Sequence, residues 1–124
     1  MKHRRLLLAL LLAPLFAACF PKETHIDVDP AMLHGKWLKV GTQEYWRYYD
    51  SGSGATWDES EGKTEENTNL TYTWQLDRDE LTHWFRGEQD NQMVPKVYTI
   101  KEITSNSMKW KDAYGTISTY SKVN

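Results

Sequence analysis

The chain has one cysteine, Cys19, so no disulfide can form within it and the globular part must be held together by burial alone. Positive charge is in short supply as well: 15 Lys and Arg stand against 17 Asp and Glu, a formal net charge of −2. That balance argues against nucleic acid and against anionic membrane surfaces as partners. There is no Gly-x-Ser-x-Gly setting for a serine nucleophile and no second thiol for a cysteine one. The histidines beyond Cys19, namely His25, His34 and His83, stand at no metal-ligand spacing. No catalytic constellation, metal site or cofactor is therefore expected, and the chain reads as a non-enzyme. Helical periodicity is also missing over any useful length, which leaves strands as the building material.

What is present begins at the N-terminus. Lys2, Arg4 and Arg5 precede an apolar run over residues 6–16, then Ala17, Ala18 and Cys19. A basic start, a short apolar centre and a small-residue exit make a secretory signal, too short for a spanning helix. Leu15-Phe16-Ala17-Ala18-Cys19 resembles the lipobox of bacterial lipoproteins, which implies cleavage before Cys19 and lipidation of its thiol. Acyl chains on Cys19, palmitate among them, would satisfy the two-signal requirement for stable anchoring. No aspartate follows Cys19, a pattern expected to forward the protein to the outer membrane. Residues 1–18 are thus read as a lipoprotein signal peptide, residues 19–32 as a lipidated tether and residues 33–124 as one domain. Removing Lys2, Arg4 and Arg5 from the 15 basic residues leaves 12 against 17 acidic, a net of −5 for the mature chain.

The domain is rich in aromatics: 15 of the 16 Phe, Trp and Tyr lie after Cys19, including all six tryptophans. Each buries a large apolar area, so a small domain can close a core without staples. Short β-rich runs at residues 35–40, 44–49, 54–57, 69–76, 80–86, 94–103, 107–111 and 116–122 are separated by turn residues at hairpin spacing. Tyr72, Trp74 and Leu76 alternate with Thr71, Thr73 and Gln75, and Met108 and Trp110 alternate with Lys109 and Lys111. One face of each run is apolar. An antiparallel set of eight such strands can hide that face in a sandwich or in a closed barrel. Hairpin-only connectivity favours the barrel, which also removes both edges.

Gly35-Lys36-Trp37 at the head of the first strand resembles the Gly-x-Trp signature of lipocalins. Ser51-Gly52-Ser53-Gly54 before Trp57, the run 72–77, Leu81, and Gly115 leading to Tyr120 resemble the small lipocalin-like lipoproteins of Gram-negative bacteria. The resemblance implies an all-β, antiparallel eight-stranded up-and-down barrel with Trp37 plugging one end. The C-terminal helix usual in lipocalins proper has no counterpart here.

A barrel of eight strands either fills its interior with side chains or holds one small ligand. With Trp37, Trp46, Trp74 and Trp110 on the inward face the lumen is expected to be full, which moves function to the outside. Length, lipid anchor and barrel together resemble the potempins, lipoprotein inhibitors of secreted peptidases. That resemblance implies a secreted peptidase as partner, with no inhibitory motif to carry over residue by residue. The expected partner-binding element is the link over residues 86–95, longer than a hairpin demands, with Arg86, Glu88, Asp90, Asn91, Met93 and Val94 as its contact residues and Trp84 as an anchor beside it. Two alternatives stand beside this reading. One is a binder of a small hydrophobic ligand, with Tyr48, Tyr72, His83, Trp74 and Tyr98 lining a shallow mouth. The other is a structural component of an envelope complex. The acidic run Asp58, Glu59, Glu61, Glu65 and Glu66 is expected to be a solvated loop.

Overall fold

Alternation of apolar and polar residues along eight short runs sets the architecture. The computed structural model describes residues 24–86 and 93–124. In it the strands β1 (Gly35–Lys39), β2 (Glu44–Tyr48), β3 (Ser53–Asp58), β4 (Thr71–Asp77), β5 (Glu80–Arg86), β6 (Met93–Ile103), β7 (Ser107–Lys111) and β8 (Ile117–Val123) follow one another in space in chain order. Each pairs antiparallel with the next, and β8 returns to β1 through Trp37↔Lys122 and Leu38↔Ser121, closing a barrel. This is the all-β up-and-down barrel that the hairpin spacing predicts, and it is lipocalin-like, as the Gly-x-Trp resemblance implies. Every strand lies within two residues of its expected bounds.

Cross-strand partners share a face, so the register fixes what is inside. Trp37↔Trp46, Tyr48↔Gly54, Gly54↔Tyr72, Trp74↔His83, Leu81↔Tyr98, Ile100↔Trp110 and Met108↔Tyr120 are the inward pairs. Their apolar members form one continuous core. In β6 the pairing slips between Ile100 and Glu102. The extra residue lets Ile103 join Ile100 on the inner face opposite Met108, where strict alternation would have turned it outward.

One end of the barrel is sealed. A 3-10 turn at Pro30–Met32, capped by the Asp29 carboxylate on the Ala31 amide (3.0 Å), delivers the fully buried Leu33 beneath Trp37. The Trp37 Nε1 donates to the Leu33 carbonyl at 2.9 Å, and the Lys122 ammonium lies 4.8 Å from the centre of the Trp37 ring. Trp37 thus plugs the closed end as expected. The segment read as a tether is different from Thr24 onward. Val28 belongs to the core, its amide donates to the Arg78 carbonyl at 3.2 Å, and His25 and Ile26 both reach Asp79. Residues 24–32 are therefore a strap fastened across the closed end, because Ile26, Val28 and Leu33 supply apolar contacts that a free tether would leave in water. Cys19 and the signal, residues 1–18, lie outside the described residues.

Candidate functional site

The lumen is occupied by the protein's own aromatic side chains, with an imidazole at their centre. His83 is fully buried; its ring is stacked on Trp46 at 5.1 Å and lies 4.5 Å from the ring of Tyr72 and 5.0 Å from that of Tyr98. Its Nε2 is hydrogen-bonded to the Tyr48 hydroxyl at 2.8 Å, while Nδ1 has no partner. Burial, with a smaller push from the positive charge of Lys96, lowers its pKa to about 3. The ring is neutral at physiological pH. Burial likewise drives the Tyr48 and Tyr72 phenols well above their usual range. These groups make a packed, uncharged centre rather than a reactive one.

This arrangement corrects the expected ligand-lining set. Tyr48, Tyr72 and His83 are in the middle of the core and face no mouth. Trp74 is held toward the closed end, its indole N–H shared between the carbonyls of Ser53 (3.0 Å) and Tyr49 (3.3 Å) and its ring edge-on to His34. Tyr98 borders a groove at the mouth, and Tyr72 reaches only the lining of a groove on the outer wall. The inward tryptophans are as expected, for Trp37, Trp46 and Trp110 are buried and Trp74 packs against them.

The opposite pole is the mouth, formed by the β1–β2 turn, the β3–β4 link and the β7–β8 turn. The acidic β3–β4 link is solvated as expected, with Glu59, Glu61 and Glu66 exposed, yet it is internally ordered. Asp58 caps a 3-10 turn at Glu59–Glu61 through the Ser60 amide and hydroxyl, and Thr68 bonds the Thr56 carbonyl at 2.7 Å. Thr56 in turn donates its amide to Leu70 at 2.9 Å. Folded back in this way, the link covers Trp57, which is buried on the outside of the barrel and stacked on Tyr45. Glu65 accepts the Tyr49 hydroxyl. Among the described residues no group of three or more His, Cys, Asp or Glu could hold a metal ion.

At the mouth a pocket of about 550 Å³ has Trp46, Phe85 and Leu70 as its apolar surface and Glu44, Asp58, Glu61, Lys63 and Lys96 around it. Beside it a groove of about 480 Å³ runs between Pro95–Tyr98 of β6 and the β7–β8 turn. That turn is tightly built: the Asp112 carboxylate accepts the amides of Tyr114 and Thr116, both at 2.9 Å, and Gly115 takes the left-handed φ of +86° that closes it. Tyr114 stands at its tip, 95% exposed. Val40, Leu70, Val97 and Ile117, the other large exposed apolar residues among the described ones, also belong to strands or turns at this end.

The expected contact link is shorter than the sequence suggests. Strand pairing runs on to Arg86↔Met93, with Phe85↔Val94 and Trp84↔Pro95 behind it, so Arg86, Met93 and Val94 are strand positions. Arg86 and Val94 are strand residues as their β-rich runs predict, and ladder hydrogen bonds extend β6 by one residue to Met93. Glu88, Asp90 and Asn91 lie outside the described residues. Trp84 is half-buried on the outer face of β5 and borders a third groove, of about 480 Å³, with Ala55, Thr71 and Thr73. The residues that sequence reasoning missed are Glu44, Lys96 and Tyr114. Only the last had a signal, an Asp-x-x-Gly turn with an aromatic inside it. Comparison with protein-family models, with curated proteins and with solved structures found no match to this chain.

Proposed function

We propose that the chain is a non-catalytic, outer-membrane-anchored binding protein, held by a lipid on Cys19, that inhibits a secreted peptidase. The observation that carries this reading is the filled lumen. Trp46, Tyr48, Tyr72, His83, Trp110 and Tyr120 occupy the space in which a carrier would hold its cargo, so binding falls to the exterior. The geometry adds a polarity. The N-terminal strap crosses the closed end, so a lipid on Cys19, five residues before Thr24, would leave the mouth with Tyr114 at the far pole. A rigid scaffold that presents a well-ordered turn loses little conformational entropy on docking, and an exposed tyrosine is among the residues best suited to anchor an interface. Inhibition would be steric, with the mouth end covering the enzyme's cleft.

The test is a titration of the purified protein against the peptidases secreted by the same organism. Stoichiometric inhibition without turnover of the inhibitor supports the reading, and inhibition of none overturns it. Repeating the titration after replacing residues 87–92 with Asn-Gly, and separately with Tyr114→Ala, assigns the contact to the β5–β6 link or to the β7–β8 turn. Tight binding of a hydrophobic fluorescent probe would instead favour a small-ligand carrier.

A further inference from the structure

We infer that the mouth pocket receives an organic cation on an apolar stem, namely the side chain of an arginine or lysine presented by the docked protein. Register provides the acidic wall. Glu44 and Asp58 are direct partners across β2 and β3, and both alternate onto the inward face with Trp46 and Thr56. Two carboxylates therefore stand side by side at the lip, and Glu61 adds a third from the 3-10 turn. Glu44 is oriented by the indole N–H of Trp46, which donates to its Oε2 at 2.9 Å.

Below the carboxylates lie Trp46 and Phe85, edge to face with centroids 6.4 Å apart. This apolar floor suits methylenes, and aromatic faces attract a cation. The molecule already shows that use of Phe85, whose ring centre lies 5.7 Å from the Lys96 ammonium. With Lys63 the pocket holds two amines against three carboxylates. An anionic ligand would meet repulsion here. A wholly apolar one would strip water from carboxylates and give nothing back. A cation on a hydrocarbon stem satisfies both parts of the lining.

This inference rests on the binding-protein reading, yet it can be tested without any peptidase. Acetyl-Gly-Xaa-Gly-amide peptides with arginine, norleucine or glutamate at Xaa are titrated into the isotope-labelled protein at about 0.15 M salt, where exposed charges are partly screened, and amide shifts are followed. The arginine peptide is expected to shift Trp46, Asp58 and Phe85 saturably and to bind about tenfold more tightly than norleucine, with glutamate weakest. Glu44→Gln keeps the acceptor for Trp46. It should weaken arginine binding several-fold and leave norleucine unchanged, while Lys96→Met should strengthen arginine binding. Equal binding of norleucine, preference for glutamate, no saturation by about 10 mM arginine peptide, or indifference to Glu44→Gln would each overturn the inference. A failed peptidase titration leaves this outcome untouched, so the two readings fail separately.

Discussion

His25 Nδ1 and Asp79 Oδ2 meet at 2.8 Å although 54 positions separate them in the chain. The same carboxylate accepts the Ile26 amide at 3.3 Å, and the Arg78 carbonyl beside it accepts the Val28 amide. Arg78 has a φ of +58°, the left-handed region that glycine usually fills in a two-residue hairpin. The β4–β5 turn thus accepts a strained residue and in return presents two neighbouring acceptors to the strap.

Asp79→Asn should loosen the strap. Burial alone would raise this carboxyl's pKa, but the hydrogen bonds from His25 and Ile26 outweigh it and the group sits below its ordinary value. Its contribution is therefore present above the unfolded carboxylate pKa of about 3.9 and is lost as pH falls through the lower folded value. The substitution should cost about 1 kcal/mol at pH 7 and close to nothing below that window. Denaturant midpoints at both pH values check this, as does faster amide exchange at Ile26 and Val28.

His83 should make the barrel acid-sensitive in the same direction as Asp79, over a higher pH window and for a different reason. Its folded pKa of about 3 lies below the unfolded value near 6.5. The unfolded chain takes up a proton that the native core refuses, so stability falls as pH drops from 6.5 to 3, by about 4 kcal/mol in total. The double substitution Tyr48→Phe with His83→Phe replaces both hydrogen-bond partners with apolar rings. It should leave stability at pH 7 within about 1.5 kcal/mol and remove one proton from the pH slope. An unchanged slope would mean that another group carries the titration.

Trp37→Ala removes the plug from the closed end. A fully buried indole with its N–H satisfied by Leu33 should cost about 3 to 5 kcal/mol when truncated. Chemical denaturation measures it, and a loss under about 1 kcal/mol would be inconsistent with the packing.

Gly54→Ala tests a close backbone approach on the inner face of the barrel. A Cβ there would lie 2.4 Å from the Tyr72 ring and 2.5 Å from the Arg47 carbonyl oxygen, to which the Tyr72 hydroxyl is itself bonded at 2.8 Å. The ring cannot retreat without breaking that bond. The loss should be about 2 to 3 kcal/mol, and Tyr72→Leu in the same chain should recover part of it.

The fold was legible because its information is local. Alternation at Tyr72-Thr73-Trp74-Gln75-Leu76 fixes the inward face, and Gly-x-Trp marks the end that Trp37 fills. The mouth was not legible, because it depends on register. Nothing in sequence places Glu44 opposite Asp58, or lays Lys96 over Phe85, until the pairing between strands is known. The strap was misread for a related reason: Ile26 and Val28 are too few to show a period, and their burial depends on a turn more than fifty residues away. His83 looked like an ordinary strand histidine. Its burial follows from six aromatic neighbours contributed by five other positions of the barrel wall and its own strand.

Seven of the eight strand interfaces join neighbours in sequence, and each can zip as soon as its hairpin exists. The eighth joins Lys36 to Val123 and Lys39 to Tyr120, the longest closure among the strand pairings, and such non-local contacts form slowly. A chain synthesised from its N-terminus holds β1 with a bare edge until β8 is available. During that interval β1 and β7 are open templates for another chain. Loss of β8 would recreate that state permanently, turning a closed ring into a sheet with two free edges.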